Sequence, residues 1–503
     1  MSMVRPRACR RPGRFGEAAT WAARRAARGP PTRRRDRAEG DGDTDDCHDG
    51  RPARAAAAGR VQAAVTAPGP ADGRQDHDGA DAIIVLRAAN NYSGPRFADQ
   101  QLAEALAAMH PVLYVDPASS VVSRRRHPEL RDAYAEPKLR TIAPNLTRLS
   151  PSALPGMERP GMAAVTSALT ARAIRHSVRQ LGARRMALID TSPLAPVMGR
   201  CGESLRVYWA QDDYAGLAEL LGLSQRRMAD GEQRLLRRAD VVIAANPRVA
   251  DRLREGGRPV ELIPFGCDAE AFARAGSAEP PTDIRLPRPI AGFMGHIGHR
   301  IDLRMLAAVA ETGSSLLLIG PRHPRFDASA LDGLLARGNV QWVGPKEFGA
   351  LPGYLGSVDV GLVPYNHSAF NEGSFPLKAL EYLGAGLRVV ATDLPAVRWL
   401  DSPDIAIEDE PAPFARAVRK ALKAPGGSAA RRRRLAFARR HTWAARAEEF
   451  SRAVWAPLTA PEPLPPPEPV HRQEQEHSAA AALVSAIKAN GSNIGILLSL
   501  SFD

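Results

Sequence analysis

Val363-Pro-Tyr-Asn-His-Ser-Ala-Phe-Asn-Glu-Gly-Ser-Phe-Pro-Leu-Lys-Ala-Leu-Glu-Tyr-Leu-Gly-Ala-Gly-Leu-Arg-Val-Val390 is the stretch that decides the fold of this chain. It leaves one apolar run, Val358 to Val363, and enters another, Val389 to Thr392, so it reads as strand, loop, helix and strand in succession. Pro376 suits the first helical position, where its missing N–H is no loss, and it leaves the amides of Leu377 and Lys378 at the helix mouth. A cation at Lys378 opposes the helix dipole by a few tenths of a kcal/mol to about 1 kcal/mol unless an anion lies in front of it, which points to phosphate. Glu381 follows three residues on, about one turn further along the same side, where a carboxylate accepts hydrogen bonds from ribose hydroxyls. A plain Lys378 to Glu381 pair on a helix surface accounts for the same residues, and both readings stand.

Outward from this stretch the same texture continues. Ile290 to Met294, Leu316 to Ile319 and Val340 to Val343 read as further buried strands, most followed by helix-like sequence. Upstream, Ala82 to Leu86, Val112 to Val115, Met186 to Ile189, Val207 to Ala210 and Val241 to Ala244 form a second series, with amphipathic segments such as Phe97-Ala-Asp-Gln-Gln-Leu between them. Alternating strands and helices imply parallel sheets with helical crossovers, hence an α/β chain of two Rossmann-like domains facing across a cleft. Gly276-Ser-Ala-Glu-Pro-Pro-Thr breaks the pattern and separates an N-terminal domain, 81–275, from a C-terminal one, 285–440. A helix over 441–456 is expected to return toward the first domain.

Residues 1–80 are dominated by Arg, Ala, Gly, Pro and Asp without apolar periodicity, and 457–503 open on Pro461-Glu-Pro-Leu-Pro-Pro-Pro-Glu-Pro. Neither can bury enough apolar surface to offset chain entropy, so both are expected to be disordered tails. The first leaves open where the true start lies.

At 503 residues and 44% hydrophobic content the chain can hold two or three cores. Cys9, Cys47, Cys201 and Cys267 form no CxxC pair, so zinc ribbons and disulfide frameworks are not signalled and a reducing cytoplasm fits. No run approaches the roughly 18 to 20 apolar residues that span a bilayer. A formal charge of +13 suits an anionic partner, but runs such as Arg33-Arg34-Arg35 and Arg431 to Arg434 read more simply as a solvated face or tail.

In open parallel sheets, ligands bind beyond the carboxyl ends of the strands. The first such loop, Asn90-Asn-Tyr-Ser-Gly-Pro-Arg96, offers Gly94 for close backbone approach and Arg96 for a phosphate or carboxylate, or is an ordinary strand-to-helix turn. Gly295-His-Ile-Gly-His-Arg300 leads into Ile301-Asp-Leu-Arg-Met-Leu, and its two glycines and following helix mouth make a diphosphate cradle. His296 and His299 lack a third ligand at zinc spacing, so no metal is expected. Asp212 and Asp213 end a first-domain strand, where they serve either as acceptor contacts or as turn and capping residues.

These segments carry a resemblance. Gly295 to Leu306, Leu318-Ile-Gly-Pro, Asn339-Val-Gln-Trp-Val-Gly, Leu351-Pro-Gly-Tyr-Leu, Asp359-Val-Gly-Leu-Val-Pro-Tyr and Pro376-Leu-Lys-Ala-Leu-Glu-Tyr-Leu resemble, in order and spacing, GT-B glycosyltransferases related to family 4. The first domain agrees in Gly94-Pro-Arg-Phe-Ala-Asp-Gln-Gln-Leu, Tyr208 to Asp213, Glu232 to Asp240 and Ile263-Pro-Phe-Gly-Cys-Asp, so the resemblance spans roughly 82 to 455. It implies that Glu381 holds the donor ribose as the second glutamate of an E-x7-E motif. The first glutamate of that motif faces the sugar, but its place here is Gly373, with Glu372 one residue early. The diphosphate-binding Arg and Lys of the family fall near His296 and Arg300. Gly295, Ser374, Phe375, Leu377 and Lys378 complete the implied donor site, and Glu372 and Asp213 are the candidate catalytic residues.

The implied activity is retaining, hexosyltransferase-type transfer from a nucleoside-diphosphate sugar to a sugar, lipid-linked or polysaccharide acceptor, without cofactor or metal. It would take place in the cytoplasm, at the inner face of the membrane, and would serve polysaccharide or glycolipid synthesis. The leaving phosphate can take the acceptor's proton, so no dedicated base is required. Metal-dependent GT-A chemistry needs a DxD after a strand, yet Asp41-Gly-Asp43, Asp43-Thr-Asp45 and Asp76-His-Asp78 lie in the low-complexity start. A GT-B sugar-nucleotide epimerase and a non-catalytic binding protein of the same fold remain as rivals. Nucleic-acid binding comes last, because the basic runs lack interleaved aromatics.

Overall fold

The computed structural model describes residues 81–94, 96–120, 122, 138–156, 161–221, 223–323, 326–424 and 426–459. Of the two expected tails, 1–80 and 457–503, residues 1–80 and 460–503 lie outside the described residues, whereas 457–459 complete a helix, Ala456–Thr459, because Leu458 has an apolar core to enter.

β1 (Ala82–Arg87) shows why the chain builds layered sheets. Its Ile83 and Val85 enter one apolar core, while Ala82, Ile84 and Leu86 enter another on the opposite face. A strand apolar on both sides must be covered on both sides, and the helical crossovers provide that cover. Around it lie β2 (Val112–Val115), β3 (Leu139–Ala143), β4 (Leu146–Leu149), β5 (Arg185–Asp190), β6 (Leu205–Ala210), β7 (Val241–Ala244) and β8 (Glu261–Leu262). The order is β3-β4-β2-β1-β5-β6-β7-β8, parallel throughout except for β3 against β4.

The second sheet has β9 (Ile290–Met294), β10 (Ser315–Ile319), β11 (Val340–Trp342), β12 (Val360–Val363), β13 (Arg388–Ala391) and β14 (Ile405–Ile407). Its order, β11-β10-β9-β12-β13-β14, is all parallel and doubly wound. In each sheet the direction of winding reverses once, between β1 and β5 and between β9 and β12. The loops after those strands diverge and leave a crevice at each switch point.

The chain end crosses back to the first sheet. Trp443, Ala447, Phe450 and Val454 join the core on one face of that sheet. The Phe450 ring meets Trp209 edge-on with centroids 5.2 Å apart, and Trp455 stacks on His110 at 4.1 Å. Phe265 stands at the junction, 6.1 Å from Trp209, 6.0 Å from Trp443 and 6.2 Å from Phe375. It thereby links the two sheets through aromatic edges.

The basic run at 431–434 is partly a structural device and not simply a solvated face. Arg434 is buried, with Nε on the Gly386 carbonyl at 2.7 Å. Arg433 and Arg434 both reach Asp404, at 2.9 and 3.1 Å. Burial alone would raise the Asp404 carboxyl, but the two guanidiniums outweigh it and hold the group below the usual carboxylate range.

Candidate functional site

The loop between β12 and β13 folds into two short helical pieces. Ala369–Glu372 is capped by the Ser368 hydroxyl, and Leu377–Gly384 begins after Pro376. Pro376 is the residue before the helix and not its first turn. The Leu377 amide, expected at an open helix mouth, donates to the Phe375 carbonyl at 2.9 Å. Phe375 is itself buried against Phe265 and Trp399, so its side chain belongs to the core of the junction. At the mouth, Lys378 Nζ lies 2.7 Å from Glu381 Oε2, with the Glu381 side chain 7% exposed. Both residues of the decisive stretch are thus in contact, in a half-enclosed place.

The loop after β9 is bound to its neighbours. Gly295 N donates to Ile319 O at 2.9 Å and Ile297 N to Pro321 O at 2.8 Å. Gly320 adopts a φ of +132°, and a side chain there would collide with the Gly295 carbonyl, so the two strand ends approach as only glycine allows. The following helix is Leu303–Glu311, two residues later than Ile301, and the Asp302 carboxylate caps it by accepting from Arg304 N at 2.9 Å. The helix mouth expected to cradle a diphosphate therefore already carries the Asp302 carboxylate.

Arg300 is the organising cation. Its guanidinium sits over the rings of Tyr365 at 4.7 Å and Phe370 at 4.8 Å. Nε donates to Asn371 Oδ1 at 2.8 Å and Nη2 to Ser374 Oγ at 2.9 Å. Asn371 returns a hydrogen bond to the Arg300 carbonyl at 2.9 Å, fixing the loop after β9 against the loop after β12. Nearby, His296, His299 and His323 cluster, with ring centroids 6.2 Å and 4.8 Å from His323. Burial, then His323, Arg300 and His299, keep the His296 imidazolium disfavoured. No group of three or more His, Cys, Asp or Glu able to hold a metal exists among the described residues.

The first sheet presents its own loops to the same crevice. Asp212 follows β6 on the side of Arg300 and Ser374. Burial pushes its carboxyl up to about 7 against the pull of Arg300 and Ser374. Asp213 caps the next helix, Tyr214–Leu221, accepting from Ala215 N at 3.0 Å. A side chain at Gly373 would strike the Asp213 Cβ, so the two units meet there with no space to spare. Asn246, fully buried, donates through Nδ2 to the Ser374 carbonyl at 2.7 Å. Glu372 pairs with Arg248 at 2.6 Å and with His367 at 2.8 Å.

The loop after β1 is held from behind. Arg148, 2% exposed, reaches Asp116 at 2.7 Å, Ser93 at 2.7 Å and Asn91 at 2.9 Å. Gly94 closes that loop on Asn91 at 2.9 Å. Arg96 is engaged by Glu104 at 2.5 Å, while its guanidinium lies 6.0 Å from the Phe348 ring of the second unit.

The structure therefore brings Arg300 and Ser374 into one network with Asn371 and Asn246. Lys378 and Glu381 form a separate pair, and Glu372, Asp213 and Arg96 have structural partners of their own. Asn371, Asn246, Arg248, His367 and His323 were not anticipated. The Asn246-Pro247 step after β7, a helix-capping signal, was the one local clue among them.

Two doubly wound sheets joined by an aromatic hinge, with their switch-point loops converging, define the GT-B class of protein. Sucrose-phosphate synthase from Thermosynechococcus elongatus shares this fold, with a TM-score of 0.57 and 20% identity over 74% of this chain and 98% of that one. The E. coli trehalose-6-phosphate protein solved with UDP-2-fluoro glucose gives a TM-score of 0.55 and 14% identity over 76% and 100%. Anabaena HepE, solved in complex with UDP and glucose, gives 0.52 and 13% over 74% and 98%. Residues 288–424 match the family model described as glycosyl transferases group 1. TuaH of Bacillus subtilis, named for teichuronic acid biosynthesis as a glycosyltransferase, is 30% identical over 241 residues. That match takes in 46% of this chain and 60% of TuaH. The family match thus falls within the second unit of this chain.

Proposed function

We propose that the chain moves a glycosyl group from a nucleoside-diphosphate sugar to an acceptor hydroxyl, with retention, in the synthesis of an envelope polysaccharide or glycolipid. The observation that carries this reading is the Lys378–Glu381 pair at the mouth of Leu377–Gly384, inside the segment that matches the group 1 family. In this reading Glu381 accepts the ribose hydroxyls, and Lys378 turns to the diphosphate once ribose has engaged its partner. Arg300 and Ser374 lie on the diphosphate side, with Gly295 and His296 in the loop beyond.

Charge building on the departing diphosphate is stabilised by fixed donors that need no rearrangement at the moment of reaction. The leaving phosphate accepts the acceptor's proton. The acceptor approaches from the loops of the first unit, around Gly94, Arg96 and Asp212. TuaH's name supports a polysaccharide acceptor, and a peripheral position at the inner membrane face follows from such an acceptor. Among the described residues no helix is long and apolar enough to cross a membrane.

A thermal-shift panel of UDP, GDP, ADP and TDP sugars tests the donor. A ligand at about 100 times its dissociation constant should stabilise by about 2.7 kcal/mol. No shift with any of them contradicts the reading. Gly373 in place of a sugar-facing glutamate favours, as a second reading, a donor-binding protein without turnover, and a transfer assay separates the two.

A further inference from the structure

Asn246 belongs to the first unit, but its side chain reaches the second. It stands between β7 and the helix Pro247–Glu255 and is fully buried. Its Oδ1 accepts from the amides of Arg248 at 2.8 Å and Val249 at 3.4 Å, which caps that helix. With the oxygen so engaged, the nitrogen faces away from the helix, and Nδ2 donates to the Ser374 carbonyl at 2.7 Å. The cap thereby fixes which end of the amide meets the second unit.

The segment it meets carries the partners of Arg300. Asn371 Oδ1 accepts from Arg300 Nε at 2.8 Å, and Ser374 Oγ accepts from Nη2 at 2.9 Å. Asn371 is fastened from within the second unit, donating to the carbonyls of Arg300 and Asn366, each at 2.9 Å. Ser374 is fastened from the first unit, through Asn246. Around that bond the units touch closely: a side chain at Gly216 would strike the Phe370 main chain, and one at Gly373 would strike Asp213. Arg248, on the helix that Asn246 caps, adds an exposed ion pair to Glu372 at 2.6 Å.

We propose that Asn246 is a positioning residue for the donor's diphosphate. It holds the Ser374 main chain so that the Ser374 hydroxyl stays on Arg300, and it thereby couples diphosphate affinity to docking of the acceptor-side unit. This rests on the donor reading above. A fixed guanidinium beside a fixed hydroxyl is a donor set that suits a phosphate oxygen. Without the bond from Asn246, Ser374 drifts from Arg300, and diphosphate binds only the fraction of molecules whose units are docked. The ribose, which that reading assigns to Glu381, does not meet this contact.

Asn246→Asp and Asn246→Ser separate the two roles of this side chain. Both replacements cap a helix as asparagine does, but a carboxylate has no hydrogen to donate and serine stops short of Ser374. Titration calorimetry on the full chain with UDP, GDP, ADP and TDP, and with the matching nucleosides, reads the outcome. For the diphosphate that the wild type binds best, each variant should bind roughly 5- to 50-fold more weakly, while the matching nucleoside changes by less than about 2-fold. Wild-type affinity for that diphosphate in both variants overturns the proposal and leaves the donor reading intact. Equal losses of diphosphate and nucleoside also overturn it, because they mark a general loosening of the fold. Binding of no diphosphate by the wild type overturns both the proposal and the donor reading. Should one variant fail to fold, the other decides by the same ratio.

Discussion

Lys378 Nζ rests 2.7 Å from Glu381 Oε2, and the carboxylate is enclosed while the ammonium is about a quarter exposed. The pair is the surface contact that helix spacing alone would give, yet it is set at a helix mouth inside a switch-point crevice. An enclosed carboxylate that loses its cation keeps its desolvation cost. Lys378→Ala should therefore lower stability by roughly 1 to 3 kcal/mol and weaken nucleoside diphosphate while sparing the bare nucleoside. Equal losses for both ligands would place Lys378 away from the diphosphate.

Asp212 sets a pH dependence of stability. Its carboxyl is raised from 3.8 to about 7 in the fold, so between those values the folded state binds more protons than the unfolded one. Stability from this group accordingly falls as pH rises through that window, and the cost is complete above it. Asp212→Asn should match the wild type near pH 4 and exceed it by about 2 to 4 kcal/mol above pH 7, as read by urea unfolding across pH. A pH-independent difference would show that Asp212 does not titrate in this range.

Arg148 secures the loop after β1. Its removal leaves Asp116, also buried, with Ser150 at 2.6 Å and the Tyr92 amide at 2.8 Å as its side-chain partners among the described residues. Arg148→Ala should cost about 3 to 5 kcal/mol, and adding Asp116→Asn should recover part of it. Strict additivity of the two changes would show that the pair is not coupled.

Gly373 has no room for a side chain beside Asp213. Gly373→Ala should cost roughly 1 to 3 kcal/mol through overpacking at the junction of the two units. An unchanged melting temperature would mean that the units separate freely at this point.

The strands that run apolar on both faces, such as Val241–Ala244 and Val360–Val363, were legible because full burial demands a continuous apolar run. β3 was not, since Leu139–Ala143 is an edge strand with no fully buried residue, turning into β4 through Asn145 at a φ of +57°. β8 has two residues and β14 ends on the exposed Ile407, too little pattern for a period to register. Within the site, Lys378 and Glu381 could be found because helix spacing brings them together. Arg300 was marked by its position after a strand and Ser374 by its place in the decisive stretch, but their contact arises only where the loops after β9 and β12 meet. His367 and Arg248, partners of Glu372, are separated from each other by more than a hundred residues and carry no shared local signal.

The central claim is that Glu381 holds the donor's ribose, and Glu381→Gln tests it most directly. The change removes the charge and keeps the shape. Losing a charge-assisted hydrogen bond to a buried hydroxyl costs roughly 1.5 to 3 kcal/mol, so donor affinity by titration calorimetry should fall about tenfold to a hundredfold, with the fold intact. Donor binding by Glu381→Gln as tight as that of the wild type would contradict the account and leave the Lys378 contact as a surface pair.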